Sequence, residues 1–310
     1  MPSGNIDNES VKLSVLILNW NGEKYIADCL RSLRQQLSGS YEVVVVDNAS
    51  TDGSAETVEK EFPWAKLIRS AENLGFAGGN NLAAQHAAGQ YFLLLNYDTL
   101  LMTDVLDGIN LMEQDEKIGI VGAAMYGKSG ELRLSAGHFP TPSRLWLFSS
   151  MWSIPSEHYL SPTGIAAYPM DVVEGSFLLM KADLWHKLGG MDERNYMYGD
   201  DIELCKSVSL AGLQTVQCPS IKYVHFGGYE PARMGYLFAG YRRYHEKFSG
   251  TWTRLHADFV LRAGIFLRLF SYGVQCILKQ DMYSRQQFKA AWELNWNWSQ
   301  TGVEKFRFHR

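Results

Sequence analysis

The sequence predicts an α/β protein built on a mostly parallel central sheet flanked by helices, and three observations carry that prediction. Over the first hundred residues, apolar runs of strand length alternate with helix-spaced segments, the order expected where right-handed crossovers build a parallel sheet. Glu42–Val46 is a continuous apolar run of the kind buried on both faces. Polar breaks follow the apolar runs at Asn19-Trp20-Asn21-Gly22, Asp47-Asn48-Ala49-Ser50, Asn73-Leu74-Gly75-Phe76 and Asn96-Tyr97-Asp98. Ligands of open α/β sheets bind at the carboxyl ends of the strands, so these breaks together predict one site for a polar, phosphorylated ligand.

Val11–Leu18 reads as the first strand, and Glu23–Gln36 as a helix with Tyr25, Ile26, Leu30 and Leu33 on one face. Glu42–Val46 is the next strand. Ser54–Phe62 is a helix, with Ser50 or Asp52 available as N-cap. Ala65–Arg69 is a short strand, Ala77–Ala88 an Ala-rich helix with Gly89 as its C-cap, and Tyr91–Leu95 the fourth strand. The second half is less regular. Ile118–Met125 and Val172–Met180 read as strands, Ala182–Leu188 and Asp201–Ala211 as helices, and Thr215–Val224 as one or two strands around Pro219. Between them, residues 127 to 170 are rich in Gly, Pro, Ser and aromatics, including Trp146, Trp152 and Tyr159, the composition of a binding loop or lid.

From Glu230 onward the chain reads as helical. Arg254–Lys279 is apolar but broken by Arg262 and Arg268, so its longest uncharged run is too short to span a bilayer. Arg254, Asp258, Arg262, Gln275 and Lys279 fall near one helical face, with Phe259, Phe266, Leu267, Phe270, Val274 and Ile277 elsewhere. Two readings stay open: a helix lying on an anionic membrane surface, or one packed on the protein body. The expected organisation is a flexible tail (1–10), a catalytic domain (11–230) with a nucleotide-binding half (11–110) and an acceptor-binding half (111–230), and a helical extension (231–310).

With 310 residues, 46% of them hydrophobic, the chain has material for a large core. A net charge of -4 is unlike that of a nucleic-acid binder. Cys29, Cys205, Cys218 and Cys276 are widely spaced without a C-x-x-C pair, which argues against a zinc ribbon or disulfide framework and for reduced thiols in a cytoplasmic protein. The polar start, Met1–Ser10, has no apolar core of a signal peptide.

Four constellations carry chemistry. Asp98 is either a turn residue or, with Asn96 beside it at a strand end, a hard oxygen ligand for a divalent cation. Asp200-Asp201 opens a helix behind Tyr196-Met197-Tyr198-Gly199. It reads as an acidic first turn favoured by the helix dipole, or as a general base walled by aromatics. His225, with Gly227-Gly228 behind it, is either a hydrogen-bonded structural residue or a partner of Asp98 on a metal. Asn73–Asn81 is Gly-rich and opens a helix, but it is neither G-x-G-x-x-G nor a Walker A loop. Its amides and Asn side chains would still suit a ribose or phosphate.

Val15–Gly22, Val45–Ser54, Glu72–Asn81 and Leu95–Thr99, in that order and with the Asp-Asp and His signals after them, resemble family 2 inverting glycosyltransferases of the GT-A fold, most nearly the bacterial rhamnosyltransferase-like enzymes. The resemblance covers roughly residues 12 to 245. It implies that Asn19, Trp20, Asn21, Asp47 and Asn48 hold the base and ribose of a nucleotide-sugar donor, and that Asn73, Gly75, Gly78, Asn80 and Asn96 border the nucleotide. Asp98, where the family has the last acid of its D-x-D variant, would bind Mg²⁺ or Mn²⁺ with His225. Asp201, the second acid of a Glu-Asp-type motif, would be the base, with Asp200 beside it. Tyr97 and Asp200 depart from the usual Pro and Glu of these motifs without removing an essential group. The implied donor is dTDP-rhamnose first and a UDP-sugar second. The implied acceptor is a lipid-linked saccharide at the cytoplasmic face of a bacterial inner membrane, with the aromatics between 139 and 170 suited to an acceptor groove. Two alternatives stand beside this: a nucleotidyltransferase, and a non-catalytic nucleotide-sugar or glycan-binding relative in a polysaccharide assembly complex.

Overall fold

The computed structural model describes residues 11–149, 166–227 and 234–298. The tail expected at 1–10, Trp152, Tyr159, Gly228, Glu230 and the last residues, 299–310, lie outside the described residues. In chain order the elements are β1 (Leu13–Asn19), α1 (Ile26–Gln36), β2 (Tyr41–Asp47), α2 (Ser54–Glu61), β3 (Lys66–Arg69), α3 (Gly75–Gln85), β4 (Tyr91–Asn96), β5 (Thr99–Leu101), α4 (Leu106–Gln114), β6 (Ile118–Tyr126), β7 (Leu132–Arg133), β8 (Ala136–Gly137), α5 (Pro142–Ser149), β9 (Tyr168–Met170), β10 (Val172–Val173), β11 (Phe177–Lys181), α6 (Ala182–Leu188), α7 (Asp200–Leu210), β12 (Gln214–His225), α8 (Met234–Phe248), α9 (Thr251–Lys279) and α10 (Met282–Trp296).

The main sheet has the order β3-β2-β1-β4-β11-β6-β12-β5. The first four strands are mutually parallel, as the strand–helix alternation predicts. Beyond β4 the sheet turns mixed: β11 is antiparallel to both β4 and β6, β12 is parallel to β6, and β5 is antiparallel to β12. The apolar runs are continuous because both faces are covered. Val43 and Val45 enter the core under α1 and α2, while Val44 and Val46 enter the core under α3 and α7. A strand buried on both faces gains little register information from alternation, because a one-residue slip exchanges one apolar face for another. Here polar side chains at the strand ends set the register: Asn19 pairs with Asp47 in the ladder, and its Nδ2 donates to Asp47 Oδ1 at 3.1 Å.

Several local expectations change. α2 starts after Gly53, and Asp52 accepts from the Ser54 amide at 3.0 Å without being the cap residue itself. α3 ends at Gln85, so Gly89 does not cap it. Gly89 is small for another reason, since a Cβ there would lie 2.5 Å from the Ser14 amide nitrogen. The strand expected over Val172–Met180 is split at Glu174-Gly175-Ser176 into β10 and β11. Thr215–Val224 lies in one long strand, β12, with an irregularity between Cys218 and Lys222, where Pro219 has no amide hydrogen to donate to the ladder.

A third core cluster gathers Leu145 of α5, Phe238 of α8, Val260, Leu261 and Ile265 of α9, and Leu294 of α10. This helical assembly is keyed to the sheet domain at one very close approach. Gly199 has φ +87, and a Cβ there would lie 2.8 Å from the Gly240 Cα of α8. Lys247 of α8 adds ion pairs to Asp192 at 2.8 Å and to Glu203 at 2.9 Å.

Candidate active site

The parallel strands bring Asn19, Asp47 and Asn96 side by side, because Asn19 registers with Asp47 and Leu18 with Asn96. Asn19 is fully buried. Its amide donates to Asp47, to Ser54 Oγ at 2.9 Å and to Ser50 Oγ at 3.3 Å, so it braces the ends of β1, β2 and α2 from within. Asn21, at φ +51, accepts from the Thr51 amide at 2.8 Å. Trp20 is partly exposed beside it. Asn48 ties this end to the Gly-rich loop, accepting from the Leu74 amide at 2.8 Å and donating to Asn73 Oδ1 at 3.0 Å.

The glycine-rich segment is shaped by packing. Gly75 has φ +74 and would place a Cβ 2.4 Å from the Tyr196 carbonyl oxygen, which accepts from the Phe76 amide at 2.9 Å. This contact joins the start of α3 to the Tyr196–Asp201 segment. Gly78 faces Leu74, with only 3.0 Å to spare for a Cβ. Asn80 is buried and donates to the Phe76 carbonyl of its own helix at 2.9 Å. Gly78 and Asn80 thus both sit within α3, Asn80 buried against its own preceding turn.

Asp98 and His225 are 127 positions apart in the chain and meet because β5 and β12 pair antiparallel with His225 opposite Thr99. His225 Nε2 lies 3.3 Å from Asp98 Oδ1, with both side chains largely buried. Around them the backbone is held by a 2.9 Å bond from the Phe226 amide to the Asp98 carbonyl. Arg133 adds donation to the His225 and Gly227 carbonyls at 3.4 and 3.1 Å. Phe226 stacks on Tyr25 with centroids 5.3 Å apart. Gly227 leaves the pair its space: a Cβ there would be 2.6 Å from Asp98 Oδ2 and 2.7 Å from His225 Nε2. Burial pulls the His225 imidazole down, but the Asp98 and Glu174 carboxylates outweigh it and hold the ring above its ordinary value.

Asp200 and Asp201 open α7 after Gly199. Asp201 accepts from the Gly175 amide at 3.1 Å and from its neighbour Ile202 at 2.8 Å. Burial raises its carboxyl above the ordinary range against the pull of those amides. Asp200 is buried, one of its oxygens has no hydrogen-bond partner, and burial reinforced by the Asp201 charge raises it well above the ordinary range. Glu174, not singled out from the sequence, sits where β10 breaks from β11. Burial pushes its carboxyl up to about 7, with His225 opposing and Asp201 and Asp98 adding to the rise. A lone acid inside an apolar run, followed by Gly, was the available sequence signal. Glu174 thus lies within reach of the charges of Asp98, His225 and Asp201.

Among the described residues, no group of three or more His, Cys, Asp or Glu side chains is arranged to hold a metal ion. The Asp98–His225 pair still fits a divalent cation shared with ligand oxygens: a carboxylate oxygen and an imidazole nitrogen face each other, Asp98 Oδ1 is buried without a hydrogen-bond partner, and the glycine behind them keeps the space open. Two cavities lie instead among the C-terminal helices, one of about 240 Å³ beside Arg242 and Arg254 and one of about 700 Å³ beside Trp146 and Phe259. The strand ends remain the better candidate, because the polar and acidic side chains converge there.

A model of glycosyl transferase family 2 matches residues 14–176, more than half of the chain. The chain belongs to glycosyl transferase family 2. This family 2 protein is similar to a low-salt glycan biosynthesis hexosyltransferase of Haloferax volcanii, 25% identical over 221 residues, which are 69% of this chain and 66% of the relative. It is also similar to an N-acetylglucosaminyl-diphospho-decaprenol L-rhamnosyltransferase of Mycobacterium tuberculosis, 22% identical over 283 residues, 83% of this chain and 91% of the relative. Among solved structures, GalNAc-T7 with UDP, GalNAc and Mn²⁺ matches with a TM-score of 0.60 at 16% identity, over 96% of this chain and 59% of that one. The chain thus spans just under two thirds of the archaeal relative and well under two thirds of the structural one. The fold is GT-A, and membership of glycosyl transferase family 2 speaks against the nucleotidyltransferase alternative.

Proposed function

We propose that this glycosyltransferase moves a sugar, with inversion, from a nucleotide-sugar donor to a hydroxyl of a lipid-linked saccharide in bacterial cell-surface polysaccharide synthesis. dTDP-rhamnose is the favoured donor and a UDP-sugar the second, in keeping with the rhamnosyltransferase relative and the UDP-bound structural neighbour. The observation that carries this reading is the β5–β12 pairing, which sets His225 beside Asp98, with Asp201 anchored by the Gly175 amide at the break between β10 and β11.

In this reading Asn21, Asp47 and Asn48 frame the base and ribose, and Asn73, Gly75 and Asn96 border the nucleotide. Asp98 and His225 hold Mg²⁺ or Mn²⁺, which when bound offsets negative charge on the diphosphate leaving group. Asp201 is anchored by the Gly175 and Ile202 amides and removes the proton from the acceptor hydroxyl, a poor nucleophile near neutral pH. With base and leaving group on opposite sides of the anomeric carbon, displacement is in line and needs no covalent intermediate. Asp200, buried behind Asp201, shapes the turn that presents it. The chain acts in the cytoplasm, at the cytoplasmic face of the inner membrane.

The test is a thermal-shift panel of dTDP, UDP, GDP and CMP, each with and without Mn²⁺. A nucleotide at about a hundred times its dissociation constant adds roughly 2.7 kcal/mol of stability. A Mn²⁺-dependent shift with dTDP or UDP is expected. A shift confined to GDP or CMP would overturn the donor assignment, and a shift indifferent to Mn²⁺ would overturn the Asp98–His225 assignment.

A further inference from the structure

The outer side of α9 is apolar. Ala257, Val260, Leu261, Gly264, Ile265 and Arg268 face the protein, while Phe259 is 66% exposed, Phe270 77% and Ile277 74%. An amphipathic helix of a soluble domain turns such residues inward. Trp252, Leu255, Phe266 and Val274 continue the stripe along the helix. Trp146 of α5 joins Phe259, Phe266 and Leu267 in lining the groove of about 700 Å³, and Trp292 and Trp296 stand exposed on α10. A contiguous aromatic-rich patch of this kind marks an interaction surface.

Charge narrows the partner. Residues 251–296 carry six Lys and Arg against three Asp and Glu; with Arg268 buried, five cations against three acids remain at this surface of a chain whose net charge is -4. Exposed aromatics and long aliphatics along one helix face, with exposed Arg262 and Lys279 flanking that face, match an anionic lipid surface, where rings settle at the headgroup boundary and cations reach the phosphates. α9 is the one helix among the described residues long and apolar enough to cross a membrane. Its inner side, however, packs in the core shared with α5, α8 and α10 and carries the buried Arg268, so crossing would strip that core from the protein.

We propose that α9, with the exposed aromatics of α5 and α10, docks in the plane of an anionic bilayer with its outer stripe in the headgroup region. The same helices are coupled to the site. Tyr241 of α8 packs on the same helical core, and Gly240 lies against Gly199 at the start of α7. Docking therefore ties the start of α7, which carries Asp201, to the membrane-bound helices. That purpose rests on the lipid-linked acceptor proposed above; the docking itself does not.

The test is flotation with vesicles of equal parts phosphatidylcholine and phosphatidylglycerol, and with vesicles of phosphatidylcholine alone. The wild type should float with the mixed vesicles, and more weakly with the neutral ones. Phe266→Asp with Phe270→Asp, both at exposed positions, should lower partitioning at least about tenfold, with circular dichroism and nucleotide-induced thermal shift unchanged. Arg262→Glu with Lys279→Glu should remove the preference for the mixed vesicles. A wild type that stays with the soluble fraction overturns the proposal. So does one that light scattering shows as a dimer dissociated by the Phe pair, which would make the face a contact between copies. Transfer to a water-soluble acceptor separates the two claims: a Phe-pair variant that fails to float yet keeps this activity leaves the transferase reading intact, and a wild type that floats without transferring sugar leaves the docking intact.

Discussion

Gly227→Ala is the sharpest perturbation of the Asp98–His225 pair, because it touches neither side chain chemically. The new methyl group would sit 2.6 Å from Asp98 Oδ2 and 2.7 Å from His225 Nε2, where ordinary contact starts at 3.4 Å. If each partner yields the whole gap, Asp98 Oδ2 retreats ~0.8 Å and His225 Nε2 ~0.7 Å, several times the ~0.2 Å tolerance of a metal–ligand distance. Neither retreats freely, since the Phe226 amide holds the Asp98 carbonyl and Arg133 holds the His225 carbonyl. Overpacking of this kind costs about 1–3 kcal/mol, so the protein should stay folded with a modestly lower Tm. The concentration of Mn²⁺ giving half-maximal transfer should rise at least about tenfold, the equivalent of ~1.4 kcal/mol of lost binding. The assay is a Mn²⁺ titration of initial rate, with nucleotide affinity in the absence of metal as the quantity that should not move. Gly137→Ala is the control, because a Cβ there meets nothing within 4 Å. A folded Gly227→Ala protein with an unchanged Mn²⁺ midpoint would refute the reasoning, and with it the placing of a metal between these two side chains.

Two further outcomes follow from the acids and the ion pairs. Asp201→Asn should lower kcat by about 10²–10⁴ with donor binding kept, whereas Asp200→Asn should leave kcat within a few-fold, because an amide oxygen of the same size can still accept from the Asp201 amide. Since Asp201 must be ionised to act and its carboxyl is raised, wild-type kcat should fall with decreasing pH above the ordinary Asp range of ~3.9; a limb below that range in the kcat–pH profile would refute the assignment of the base. Lys247→Met leaves Asp192 and the buried Glu203 without their shared cation and should cost about 1–3 kcal/mol in urea unfolding, a buried-pair figure reduced because Lys247 is one-third exposed. Arg194 first, and then Lys247 against some burial, hold the Asp192 carboxyl below its ordinary value. That stabilisation is complete above ~3.9 and lost as pH falls through the lower folded value, so urea midpoints of the variant should fall less steeply with acid than those of the wild type.

The first four strands were legible because their physics is local. Parallel strands covered on both faces must be continuously apolar, and Leu93–Leu95 and Val43–Val46 announce themselves by composition alone. The second half of the sheet was not, because its strands pair across long chain distances: nothing near Asp98 foretells that β5 lies against β12, and only that pairing brings His225 to it. Glu174 was hidden by the habit of reading an apolar run as one strand, when the acid marks the break between two. At Gly78 and Asn80 the residue types alone could not show the close approach to Leu74 or the bond to the Phe76 carbonyl. For α9 the periodicity was plain, but periodicity gives two faces and no direction. Which face looks outward depends on α5, α8 and α10, whose packing no single helix encodes.

The buried Asn19 amide has a consequence for how ligand enters. By joining the tips of β1 and β2 to the start of α2, it holds these strand ends to one another without help from any bound group. Ends held in this way have little conformational entropy left to lose on occupation, so a ligand lodged there would be selected by fit and not by rearrangement.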